Sequence, residues 1–148
     1  MKVLAENKKA YYNYEILEKF EAGISLIGQE VKSIKSGKVS LTGSYVVLKG
    51  EEVYLIGATI PPYQPKNAPA DYNSERSRKL LLKKTEIKSL IGKAKQKGLT
   101  LVPLKLYTKN GKIKVEFAVA KGKRKADKRE QIKKREFERQ KEKLLKRY

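Results

Sequence analysis

The 148-residue chain contains no cysteine and no histidine. Without cysteine there is no disulfide framework, no thiolate zinc site and no cysteine nucleophile. Without histidine the commonest metal ligand and the commonest general base are missing. Nucleophilic catalysis would have to use a serine activated by lysine or a carboxylate. Ser33, Ser36, Ser40 and Ser44 do lie near Lys32, Lys35 and Lys38, but lysine is so frequent here that proximity carries no information. Gly23, Gly28, Gly37 and Gly43 never meet the Gly-Lys-Ser/Thr ending of a phosphate loop. No catalytic site, metal or cofactor is therefore expected. No apolar run approaches the roughly 18 residues of a membrane span. The segment from Met1 to Asn7 lacks the apolar stretch of a signal peptide. A cytoplasmic protein that avoids membranes is expected, and the absence of cysteine suits a reducing compartment.

Acidic residues are scarce too. Sixteen Asp and Glu face 36 Lys and Arg, a formal net charge of +20. That imbalance points to a polyanionic partner. The length suits one domain with its own core.

The apolar pattern divides the chain. Residues 1–13 are polar and predict a short arm or one helical turn. Tyr14 to Phe20 reads as a first strand, broken by Glu21-Ala22-Gly23. Ile27, Val31 and Ile34 recur on one helical face, which predicts a helix over 27–36 with Gly37 as its left-handed cap. Residues 45–48 and 53–56 flank Lys49-Gly50-Glu51-Glu52 as a hairpin. Four of the five prolines fall between 61 and 77, a loop. Arg78 to Leu82 reads as a strand leading into a helix capped by Thr85, whose stripe is Ile87, Leu90, Ile91 and Ala94. Gly98 ends it. Strands over 99–107 and 112–120 flank Asn110-Gly111, a two-residue hairpin turn. In the second, Ile113, Val115, Phe117 and Val119 share a face opposite Lys112, Lys114, Glu116 and Ala118. Pro103 places its partner at a sheet edge or on a bulge.

Composition shifts at Lys121. Residues 121–148 carry fourteen Lys or Arg against five Asp or Glu. Few apolar residues remain, and they form no single stripe, so this tail cannot offset its own ordering entropy. It nevertheless has no Gly or Pro after Gly122, and Glu130–Lys134 and Glu142–Lys146 are favourable helical pairs. Two regions follow: residues 1–120 as a patterned barrel domain, and 121–148 as a basic tail, disordered alone and helical when bound to a polyanion. The fold expected is mainly β (α+β), an antiparallel β-barrel of the oligonucleotide-binding type with two or three short flanking helices.

Nine tyrosines interleave with lysines, as in Lys8-Lys9-Ala10-Tyr11-Tyr12-Asn13-Tyr14. Aromatic rings stack on unpaired bases while lysines neutralise phosphates. Tyr45 and Tyr54 suit the core as well as they suit stacking. The run Lys121-Gly122-Lys123-Arg124-Lys125 adds a basic patch.

Several local strings share one pattern. They are Asn7-Lys8-Lys9-Ala10, Glu21-Ala22-Gly23-Ile24, Gly28-Gln29-Glu30-Val31-Lys32-Ser33, Arg76-Ser77-Arg78-Lys79-Leu80-Leu81-Leu82, Ala118-Val119-Ala120-Lys121-Gly122-Lys123 and Asp127-Lys128-Arg129. In order and spacing the chain resembles the SsrA-binding protein (small protein B) family over nearly its whole length. A monomer is expected, and the resemblance implies that it binds the tRNA-like domain of transfer-messenger RNA and brings it to the decoding centre of stalled ribosomes. It also implies that the tail enters the empty mRNA channel as a helix. It makes Asn7, Glu21 and Lys114 RNA contacts, beside the basic Lys8, Lys9, Lys121 and Lys123. Leu81 supports that surface and is itself expected in the core. Asp127, Lys128, Arg129, Phe137, Leu144 and Leu145 become the ribosome-binding part of the tail. Some relatives carry His before the Asp-Lys-Arg triplet; here Ala126 stands there. The rivals are a ribosomal or rRNA-binding protein with a basic tail, an RNA-processing enzyme, and a membrane-surface binder.

Overall fold

The computed structural model describes residues 1–123, 129 and 133–139. Seven antiparallel strands form one sheet, in the order β1-β6-β3-β4-β5-β2-β7. In chain order they are β1 (Lys2–Glu6), β2 (Tyr14–Ile24), β3 (Tyr45–Lys49), β4 (Glu52–Ile56), β5 (Arg78–Leu81), β6 (Leu99–Lys109) and β7 (Lys112–Gly122). Pairing of β6 with β7 closes six of them into a barrel. The free edge of β6 is then shared. Its first half meets β3 at Val46–Leu101, and its second half pairs with β1. Three helices flank the barrel: α1 (Lys8–Asn13), α2 (Gly28–Lys35) and α3 (Lys84–Ala94). The mainly β barrel with short helices is the architecture expected from the pattern.

The core follows the period-two alternation. Val115, Phe117 and Val119 of β7 point inward with Phe20, Ala22 and Ile24 of β2. The rings of Phe20 and Phe117 stack with centroids 5.6 Å apart. Alternation fails at one end. Val102, Leu104, Ala118 and Ala120 face outward yet are buried, because Ala10 of α1 closes over them as a second small core.

Five local readings change. Lys2–Glu6 is a strand, held by the half of β6 that β3 leaves free. Glu21-Ala22-Gly23 does not break β2, which continues to Ile24. Glycine fits closely there: a Cβ on Gly23 would sit 3.3 Å from the Leu81 Cβ across the strand pair, so the neighbour would have to shift. Helix α3 is capped at Lys83, whose N–H donates to the Glu86 carboxylate, and not at Thr85. Its stripe turns so that Leu90 is buried while Ala94 is exposed. Finally, β7 runs to Gly122, and the Lys123 N–H donates to Asn13 O at 2.9 Å. The barrel's contacts thus extend past the expected boundary at 120.

Pro103 resolves as a bulge, with the β6–β7 register shifting between Pro103 and Lys105. The main-chain N–H of Asn7 donates to Leu104 O at 2.7 Å, and its side-chain Nδ2 donates to Pro103 O at 2.9 Å. Asn7 therefore satisfies the carbonyls that the bulge exposes.

The long loop after β4 is fixed by a buried ionic hub. Glu30 of α2 and Arg78 of β5 are both fully buried. The Glu30 carboxylate accepts from Arg78 Nε at 2.9 Å and Nη2 at 2.6 Å, from Arg76 Nε at 3.1 Å, from Tyr72 Oη at 3.2 Å and from the Ile27 N–H at 3.0 Å. Arg78 also donates to Ala58 O at 2.7 Å and Ser74 O at 2.9 Å. Burial pushes the Glu30 carboxyl up, but Arg76, the Ile27 N–H and Arg78 outweigh it and leave it below the usual carboxylate range. Buried Ser33 donates to Pro61 O at 2.7 Å. The buried face of α2 is thus Glu30, Ser33 and Ile34, and Ile27 of the expected apolar face is exposed.

Candidate nucleic-acid interface

The residues expected to meet RNA gather in two places, at opposite ends of the β2–β7 ribbon. Glu15 pairs with Lys121 at one end and Gly23 with Lys114 at the other. At the rise of a β-strand those pairs are roughly 25 Å apart.

At the first end, exposed Lys8 and Lys9 lie on α1 beside a groove of about 710 Å³, lined also by Asn7, Asn13, Thr42, Tyr45 and Thr100. Tyr45 is half-exposed and belongs to the groove, not the core. Lys121 is exposed at the neighbouring strand end. Lys123 is turned toward α1, and its Nζ donates to Tyr11 O at 2.9 Å, closing the helix end. Tyr11 is exposed, with Lys19 Nζ 5.6 Å from its ring centroid.

At the second end, β2, β7 and β6 put Glu21, Glu116 and Lys105 on one outward-facing row, with Gly23, Lys114 and Tyr107 on the next. Glu21 and Glu116 are direct cross-strand partners, an arrangement that repels unless each finds a cation. Each does. Glu116 lies 3.7 Å from both Lys19 and Lys105. Glu21 lies 3.3 Å from Lys109 Nζ and accepts a hydrogen bond from the Tyr107 hydroxyl. That hydroxyl is the main reason the Glu21 carboxyl is held below the usual range; Lys109 and Lys114 add to it. Burial and the Glu21 hydrogen bond push the Tyr107 phenol well above its ordinary value. At neutral pH the patch therefore presents an ionised, acceptor-only carboxylate among lysines.

Leu81 is not in the core. It is 53% exposed, because it sits on the outer face of β5 against Gly23. With Gly23, Leu26, Val31, Lys35, Lys112 and Lys114 it lines a groove of about 400 Å³ that combines apolar side chains with three lysines. Glu21, Lys114 and Leu81 are thus one site, and Asn7, Lys8 and Lys9 another.

Of the tail residues, Arg129 is exposed, and 133–139 are helical with every side chain exposed, Phe137 at 66%. Asp127, Lys128, Leu144 and Leu145 lie outside the described residues. Sequence reasoning missed Tyr107, Lys109, Lys105 and Lys19 as parts of the Glu21 patch. Only the β6–β7 register, set by the Asn110-Gly111 turn, and the long-range β2–β7 register together bring them to one place.

A family model described as "SmpB protein" matches residues 4–147. The chain is 50% identical over 147 residues to an SsrA-binding protein of Nostoc sp. (strain PCC 7120), covering 99% of this chain and 95% of the relative. It is 52% identical over 145 residues to that of Sulfurihydrogenibium sp. (strain YO3AOP1), covering 98% and 95%. Among solved structures, a chain from work described as "tmRNA-SmpB: a journey to the center of the bacterial ribosome" superposes with a TM-score of 0.66 at 48% identity, covering 86% of this chain and 92% of that one.

Proposed function

This chain belongs to the SmpB protein family, and from that premise we propose that it binds the tRNA-like domain of transfer-messenger RNA and delivers it to stalled ribosomes for trans-translation. The observation that carries the reading is the end-to-end match, at about half identity, to proteins described as SsrA-binding. The geometry supports it. Glu21, Lys114 and Leu81 offer an acceptor, a cation and an exposed apolar side chain on one face, the combination that an irregular, unpaired RNA surface can use. Lys8, Lys9 and Tyr45 at the far end of the ribbon offer a second basic and aromatic surface. Such a protein works in the cytoplasm as a binding factor, and no helix among the described residues is long and apolar enough to cross a membrane.

The tail is assigned to the ribosome. It carries high positive charge, and its described helical residues 133–139 make no buried contact with the barrel. In this reading it occupies the empty mRNA channel, a tract of RNA phosphates that a basic helix neutralises.

Affinity recovery of the full chain from cells, followed by sequencing of the bound RNA, tests the assignment. Enrichment of one small RNA with a tRNA-like end supports it. Stoichiometric rRNA that survives high salt would instead support a ribosomal protein. A chain ending at Lys123 should keep its affinity for the tRNA-like RNA and lose peptide tagging on stalled ribosomes. Retention of both activities would remove the tail from the mechanism.

A further inference from the structure

The Glu21 patch contains a group that no RNA-contact expectation includes. Tyr107 sits on the outward face of β6, yet it is only 2% exposed. Its ring is covered on one side by Lys105, whose Nζ is 5.4 Å from the centroid. Its hydroxyl is aimed across two strands at Glu21 and donates to Oε2. Lys109 Nζ spans both carboxylate oxygens, at 3.3 Å to Oε1 and 3.4 Å to Oε2. The strong donor is thus on one oxygen, and the other has only a long lysine contact. Meanwhile Glu116, opposite Glu21 in the ladder, would push that carboxylate away. A glutamate on a strand has three rotatable bonds, so an exposed one wanders unless something holds it.

We propose that Tyr107 is a positioning residue: its hydroxyl anchors Oε2 so that Oε1 of Glu21 faces outward as a preorganised acceptor for a hydrogen-bond donor of the bound RNA. This inference rests on the reading of Glu21 as an RNA contact. A ribose 2′-hydroxyl or a base amino group supplies such a donor, and an ionised carboxylate accepts from either. Tyrosine suits the task because its rigid ring, packed under Lys105, places the hydroxyl at low entropic cost. Lysine alone would hold the carboxylate only loosely, as the long Lys109 distances illustrate.

The experiment is a double-mutant cycle on the full chain, reading affinity for the tRNA-like RNA at fixed salt. Tyr107→Phe keeps the ring and removes the hydroxyl, so unfolding by urea should match the parent closely while binding weakens about fivefold, the scale of one hydrogen bond. Glu21→Gln should weaken binding by at least as much. The two together should bind no worse than Glu21→Gln alone, because the hydroxyl acts only through the carboxylate. A merely structural tyrosine would weaken the Glu21→Gln chain by the same factor as the parent, and that additivity would overturn the proposal. So would parent-like binding by Tyr107→Phe when Glu21→Gln is impaired. If Glu21→Gln itself binds like the parent, the RNA contact fails first, and the anchoring role falls with it. RNA carrying 2′-deoxy substitutions at the contacted nucleotides separates the two donors. Loss of the Glu21→Gln effect on one such RNA assigns the 2′-hydroxyl, and a full effect on all of them assigns the base.

Discussion

Glu21 and Glu30 are two carboxylates in one strongly basic chain, and they do opposite work. Glu30 is fully buried, receives donors from Arg76, Arg78, Tyr72 and the Ile27 main chain, and ties α2 to β5 and to the loop after β4. Glu21 stands on the outer face of β2, held on one side by Tyr107 and Lys109 and open on the other. Both are depressed in pKa, yet one is closed by its partners and the other is left unfinished. The lesson concerns excess charge. In a protein of net charge +20, a carboxylate closed on every side by strong donors serves the fold, whereas one whose second oxygen holds only a long lysine contact keeps acceptor capacity for a ligand.

The largest effect should come from breaking the closed member of the pair. Glu30→Gln leaves Arg78 buried with too little countercharge, which costs about 3–5 kcal/mol in comparable sites. Urea unfolding should show that loss. Arg76→Ala sharpens the result, because Arg76 is only partly buried and its removal should cost clearly less than Glu30→Gln. Equal losses would mean that burial is not what makes the hub matter.

Acid should reproduce part of that loss in the parent. Glu30 is more acidic folded than unfolded, so its contribution is present above the unfolded carboxylate value of about 4.3 and disappears as pH falls through the lower folded value. The stability gap between the parent and Glu30→Gln should therefore shrink on acidification below about pH 4. A gap independent of pH down to 2 would contradict the assignment.

For the open member the numbers are smaller and fall elsewhere. Glu21→Gln should cost roughly 1–3 kcal/mol in RNA affinity and at most about 0.5 kcal/mol in stability. Asn7→Ala is the intermediate case. Asn7 was expected to read RNA, but its amide caps the Pro103 carbonyl at the β6 bulge. Its loss should lower stability by about 1 kcal/mol and affect RNA binding less than Glu21→Gln does. The reverse ranking would make Asn7 an RNA contact first and a brace of the bulge second.

Much of this architecture was legible because hydrophobic alternation and turn chemistry are local. The 45–56 and 99–120 hairpins and the α2 helix all appear where pattern places them, with Asn110 and Gly111 both at positive φ in the turn. What was not legible depends on partners distant in the chain. Lys2–Glu6 has no strand pattern, and β6 supplies its pairing. The string around Glu30 and the string from Arg76 to Leu82 were visible as motifs. Only the fold reveals that Glu30, Arg76 and Arg78 are one buried hub, and that Leu81, expected inside, stands exposed against Gly23. A motif states that residues matter without stating whether they matter to the fold or to the ligand.

The most direct test sets Glu21→Gln and Glu30→Gln side by side, each measured for urea stability and for affinity to the tRNA-like RNA under conditions where both are folded. A crossed result is expected: Glu21→Gln loses affinity and keeps stability, and Glu30→Gln loses stability and keeps most of its affinity. If each variant loses both together, the two carboxylates belong to one cooperative unit, and the division drawn here between a closed hub and an open site is wrong.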